Sequence, residues 1–136
     1  MAAGTSPIFV DTPRTSFVSS GVNANTAFDG TGTVATLFTA GADGSKVEEI
    51  YLRHLGTNIA TVIRFFINNG STNATAANNS LFHEETMAAY TADQDTASVG
   101  VKFTPNLVLP AGYKINITTG TAIASGIQVT AIGGDY

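Results

Sequence analysis

The 136-residue chain has no cysteine and no tryptophan. Without thiols, neither a disulfide nor a thiolate-ligated metal is available to it. Without tryptophan it lacks the indole platform on which sugar-binding modules rely heavily. Charge is scarce too: Asp, Glu, Lys and Arg together make up 12% of the residues, about half the usual share. The six basic residues are scattered, no two are adjacent, and the formal net charge is −4. Nucleic-acid binding needs clustered cations to neutralise phosphate, so that class is excluded. No apolar run approaches the roughly 20 residues of a membrane span. The start, Met1-Ala2-Ala3-Gly4-Thr5-Ser6-Pro7, has neither a basic n-region nor an apolar h-region. A soluble product made in the cytoplasm without its own export signal is therefore expected.

What replaces the missing charge is Thr, Asn, Ser, Ala and Gly. β-branched Thr favours strands, while Gly and Asn accept the positive φ of tight turns. The hydrophobic fraction of 43% is enough for a packed core, and the length fits one domain. Residues 1–30 carry short apolar pieces broken by Pro, Ser and Gly, as in Ser6-Pro7-Ile8-Phe9-Val10-Asp11-Thr12-Pro13. Pro confines such a segment to edges or turns, so it reads as an extended arm on a neighbouring subunit or as a first edge strand. Residues 31–136 form the regular domain.

In that domain the alternation predicts strands at Thr33–Thr39, Lys46–Leu55, Ile59–Asn68, Leu81–Met87, Ser98–Phe103, Leu107–Leu109, Tyr113–Thr118 and Gly126–Ile132. In the second of these, Val47, Glu49, Tyr51, Arg53 and Leu55 fall on one face, and Glu48, Ile50, Leu52 and His54 on the other. Ile59–Asn68 is apolar on both faces, the pattern of a central strand covered twice. Asp43-Gly44, Asn69-Gly70 and Pro110-Ala111-Gly112 are turn signals. Ser71–Ser80 should be an exposed loop. Only Glu84–Tyr90 could be argued as a short helical turn. Seven or eight short strands indicate an all-β fold, an antiparallel β-sandwich with the jelly roll as the expected topology, although another Greek key has the same signature.

No catalytic constellation emerges, so no enzyme is expected. His54 and His83 lack a metal-ligand spacing, and two ligands are fewer than zinc usually takes. The adjacent pairs Glu48-Glu49 and Glu84-Glu85 point to opposite faces of a strand and cannot work as paired carboxylates. Glu49 and Glu85 have Arg53, Arg64 or Lys102 as expected cross-strand partners. Asp93-Gln94-Asp95 lacks the rest of a calcium loop, and no Gly-x-Ser-x-Gly elbow or phosphate loop occurs. No cofactor and no metal is expected. Phe65, Phe66, Phe82, Phe103 and Tyr113 read as core. Phe9, Phe17 and Phe28, in the irregular N-terminal part, are candidate interface anchors, together with the terminal Tyr136.

Leu107-Val108-Leu109-Pro110-Ala111-Gly112-Tyr113-Lys114-Ile115, the ending Gln128-Val129-Thr130-Ala131-Ile132-Gly133-Gly134-Asp135-Tyr136, and Leu52-Arg53-His54-Leu55-Gly56-Thr57-Asn58 resemble segments of small phage and prophage proteins. The likeness covers roughly residues 47–136. It is to virion proteins of the jelly-roll decoration, or cement, type of tailed bacteriophages. The resemblance implies a homotrimer that binds the major capsid protein at subunit junctions on the capsid exterior. A tail, baseplate or fibre component and a carbohydrate-binding module are the alternatives.

Overall fold

The computed structural model describes residues 9–136. Among the described residues nine strands run β1 (Thr12–Ser20), β2 (Ala35–Thr39), β3 (Ser45–His54), β4 (Thr61–Asn68), β5 (Asn79–Met87), β6 (Val101–Phe103), β7 (Leu107–Leu109), β8 (Lys114–Thr119) and β9 (Ile127–Asp135), with one 3-10 turn at Ala76–Asn78. The first sheet has the order β1-β9-β3-β6, with β7 also on β3; the second has the order β2-β8-β4-β5. All pairings are antiparallel. The two halves of the chain pair as one long ribbon, β1 with β9, β2 with β8, β3 with β6 and β7, β4 with β5. Rolled up, that ribbon is a jelly roll, as expected from the strand spacing. No helix among the described residues is long and apolar enough to cross a membrane.

β6 and β7 are two halves of one strand position. Between them Pro105 has no N–H to give the ladder, and Asn106 adopts φ 45°, so on this edge β3 is paired at Ser45–Val47 and at Ile50–Leu52 but not between them. The Glu84–Tyr90 stretch forms no helical turn. Its first four residues belong to β5, because Glu84, Glu85 and Met87 find cross-strand partners on β4, and pairing outweighs weak local preference. The last strand runs three residues beyond Ile132, through the two glycines to Asp135.

Leu37, Phe38, Ile50, Leu52, Ile63, Phe65, Ile115, Ile117, Ile127 and Val129 fill the space between the sheets. Phe65 is central, with Phe103 edge-on at 5.1 Å and Phe82 at 6.2 Å. The expected grouping of Val47 with Tyr51 and Arg53 is corrected by a β-bulge. Register shifts between Val47 and Glu49, so the alternation slips by one residue and Val47 joins Ile50 and Leu52 inside. β4 is central and doubly covered as expected. Ile63 and Phe65 face the core, while Phe66, fully buried, lies on the opposite face with Arg64.

At one end the two sheets are clasped by a polar chain. Gly41 N–H donates to Ser45 Oγ (2.9 Å), and Ser45 donates to Asp135. Arg14 Nη1 donates to Asp135 Oδ1 (3.1 Å) and to the Thr39 carbonyl (2.7 Å), with its guanidinium 4.4 Å from the Phe38 ring. The Ser45 hydroxyl, and after it Arg14, holds the Asp135 carboxyl below the usual range. A depressed folded-state pKa contributes stability that is complete above the unfolded value near 3.9 and fades as pH falls through the folded one. Asp135→Asn is therefore expected to lose about 1–3 kcal/mol at neutral pH and to flatten the acid limb of stability against pH. Urea melts of both proteins between pH 2 and 7 check this, and parallel curves for the two would refute it.

Candidate interaction surface

The outer faces of the two sheets differ. On the second sheet Phe66, Asn68, Asn116 and Thr118 point away from the core yet are buried. The segment 21–34 and the 69–78 loop are tied across that face. Asn25 N–H donates to the Thr119 carbonyl (2.8 Å), Asn73 Nδ2 to the Gly32 carbonyl (2.8 Å) and Asn79 Nδ2 to the Asp29 carbonyl (3.1 Å).

Among the described residues the outer face of the first sheet has no such cover. Residues directly opposite across a ladder share a face, so register gives its rows. Phe17, Thr130, Tyr51 and Lys102 form one row across four strands. Thr15, Ile132 and Glu49 lie to one side of it, and Ser19, Gln128 and Arg53 to the other. Pro13, Gly134, Lys46 and Val108 make a fourth row. Phe17 is 69% exposed and Tyr51 38%, with Val108 and Ile132 also exposed. Four strands at ~4.8 Å spacing and nine residues at ~3.3 Å give a face of about 600 Å². That is near the lower end of a specific interface, where each partner typically buries ~800 Å².

The charges on this face are already paired or tethered. Tyr51 donates its hydroxyl to Glu49 (2.5 Å), which holds the phenol above its usual range. Lys102 lies 3.9 Å from Glu49 and 5.8 Å from the Tyr51 ring, and Lys46 lies 3.5 Å from Glu48. Arg53 Nη1 donates to the Ser98 carbonyl (2.9 Å), and its guanidinium lies against Gly100, where a Cβ would sit 2.9 Å from it. Between Tyr51, Arg53, Gly100, Lys102, Gln128 and Thr130 the surface sinks into an open groove of about 650 Å³. Exposed aromatic rings among satisfied polar groups can bury area against a flat partner without stranding a charge.

The four candidate interface residues lie in different places. Phe17 is in the exposed row. Phe9, also exposed, precedes β1. Phe28 is in the 21–34 segment over the second sheet, its ring 4.1 Å from the Arg64 guanidinium. Tyr136 is half-buried beside Gly44, to whose carbonyl its N–H donates (3.2 Å). Tyr51, Ile132 and Val108 were not singled out from sequence, because their only signal is alternation and that does not say which face is covered. Of the expected ion pairs, Lys102 does meet Glu49, but Arg64 takes Glu84 (2.8 Å) and Glu85 meets His83 (2.9 Å).

The histidines are on different sheets with separate partners. His54 meets Asn58 at 3.0 Å and stacks on Tyr90, whereas His83 stacks on Phe103 at 3.9 Å. Asp93 Oδ1 accepts the N–H groups of Asp95 and Thr96, closing its own loop. Among the described residues no group of three or more His, Asp or Glu is placed to hold a metal ion.

No family model matches the chain, and no curated protein does. Two solved structures are similar to it. "Structure of infectious bursal disease virus Gx strain" aligns over 98% of this chain and 37% of that one, at 16% identity and a TM-score of 0.35. "Structure of infectious bursal disease virus Gt strain" aligns over 96% and 36%, at 18% identity and a TM-score of 0.32. The chain spans little more than a third of the length of either. Scores this low do not establish a common fold.

Proposed function

We propose that the chain is a non-catalytic structural virion protein that binds the outer surface of a tailed-phage capsid at subunit junctions and reinforces the shell. The observation that carries this reading is the outer face of the first sheet, uncovered among the described residues, with its charges already paired or tethered and its Phe17–Tyr51 row. A decoration protein adds contact area across shell junctions, and apolar burial at ~25 cal/mol per Å² is its main source of affinity, less the cost of ordering. A two-sheet sandwich clasped at Asp135 supplies a stiff platform for that face, so little is lost on docking. The likeness of residues 47–136 to decoration proteins points the same way, and with it come a homotrimer, the major capsid protein as partner and the capsid exterior as location.

The test uses the purified chain and expanded shells of the encoding phage that lack it. A trimeric mass in solution and saturable binding to the shells are expected. Association only with tail fractions, or only with glycans, would move the protein to a tail, fibre or carbohydrate-binding role and end the capsid reading.

A further inference from the structure

Among the described residues, two buried side-chain polar atoms have no hydrogen-bond partner: Arg64 Nη1 and Thr118 Oγ1. Arg64 and Thr118 stand directly opposite each other across β4 and β8 on the outer face of the second sheet, but they line different hollows. Thr118 is 2% exposed. The Arg64 guanidinium is fixed on two sides, by Nε donating to Glu84 Oε1 (2.8 Å) and by the Phe28 ring 4.1 Å from its centre. Its free Nη1 points toward Gly120, where a Cβ would lie 3.2 Å from it. Because Gly120 has none, a hollow of about 440 Å³ opens there, lined by Phe28, Val62, Arg64, Thr86, Gly120 and Thr121 among others. A second hollow of about 200 Å³ reaches Thr118 from the side of Ser20 and Thr33.

A guanidinium only donates hydrogen bonds, so whatever fills this place must present an acceptor. A planar fork with an aromatic ring over the cation is the chemistry that recognises a carboxylate. We propose that the Arg64–Gly120 hollow binds a single carboxylate, held by Arg64 Nη1. Glu84 already neutralises one edge of the fork, so an isolated carboxylate is expected to bind weakly. The acidic side chain of a protein and a free small carboxylate share this chemistry. The site lies on the sheet opposite the docking face and stands without the capsid reading.

The test titrates the purified protein with sodium acetate at constant ionic strength, with chloride as the control, following the Gly120 and Thr118 amides and the Arg64 Nε–H by NMR. Saturable shifts beyond the chloride control are expected. Gly120→Ala, whose backbone is not in the left-handed region and tolerates a side chain, should weaken binding about tenfold or more with an unchanged melting temperature, by placing its methyl against Nη1. Glu84→Gln should tighten binding several-fold, because it removes the competing charge. A blocked Gly-Glu-Gly peptide that binds at least as well as acetate assigns the site to a polypeptide side chain, and acetate binding without the peptide assigns it to a free carboxylate. The absence of saturable shifts, or shifts that neither substitution alters, means a solvent-filled hollow only and overturns the proposal.

Discussion

Gly133→Ala is expected to destabilise the fold by about 3 kcal/mol or more, well above the cost of an ordinary single-methyl change. A Cβ on Gly133 would lie 1.9 Å from the Lys46 carbonyl oxygen and 2.9 Å from the Val47 Cα. Both are backbone atoms, so no side chain can turn aside. Gly133 opposes Val47 at the β3 bulge, where register shifts before Glu49. The close approach of β9 is what lets the bulge form, and the bulge is what turns Val47 inward beside Ile50. Relief of the clash has to come from separating β9 and β3 or from slipping their register, and a one-residue slip sends every side chain to the other face. Urea unfolding should show the midpoint falling sharply, with a drop in melting temperature of roughly 10 °C for a domain of this size. A variant as stable as the parent would mean that β9 does not approach β3 in this way.

The second large effect is on binding. Phe17→Ala together with Tyr51→Ala should weaken attachment to the shell by roughly a thousandfold, about 4 kcal/mol, if each anchor contributes the ~2 kcal/mol typical of a buried aromatic at an interface. The same double variant should keep its folding stability to within about 1 kcal/mol, since both rings project from the outer face and neither belongs to the core. Phe28→Ala, over the second sheet, serves as the matched control and should leave shell binding nearly unchanged. Equal losses from the control and the double variant would show that the first sheet is not the contact. Retained binding by the double variant would remove the Phe17–Tyr51 row from the interface altogether.

These two predictions sit on opposite sides of what the sequence can say. Alternation in Ile59–Asn68 correctly marked a strand covered on both faces, because a central strand must be apolar on both. Alternation in Lys46–Leu55 misplaced Val47, since a bulge adds one residue to the count and leaves no local mark. The residue opposite it, Gly133, is more than eighty positions away. The Asp43-Gly44 and Asn69-Gly70 turns were legible because Gly44 and Gly70 occupy positive φ, at 88° and 91°, which glycine reaches at no steric cost.

The sequence by itself determined an all-β chain with strands near these boundaries and a core rich in Phe, Ile, Val and Leu. It did so through side-chain period and turn chemistry, which act over a few residues. Only the tertiary structure decided which faces stay open. Phe17 and Tyr51 are 34 positions apart and become neighbours through Thr130 on β9. Phe28 is drawn across to Arg64 because residues 21–34 are bonded over the second sheet. Exposure depends on what lies above a strand, and that is set by long-range pairing whose register no local pattern encodes.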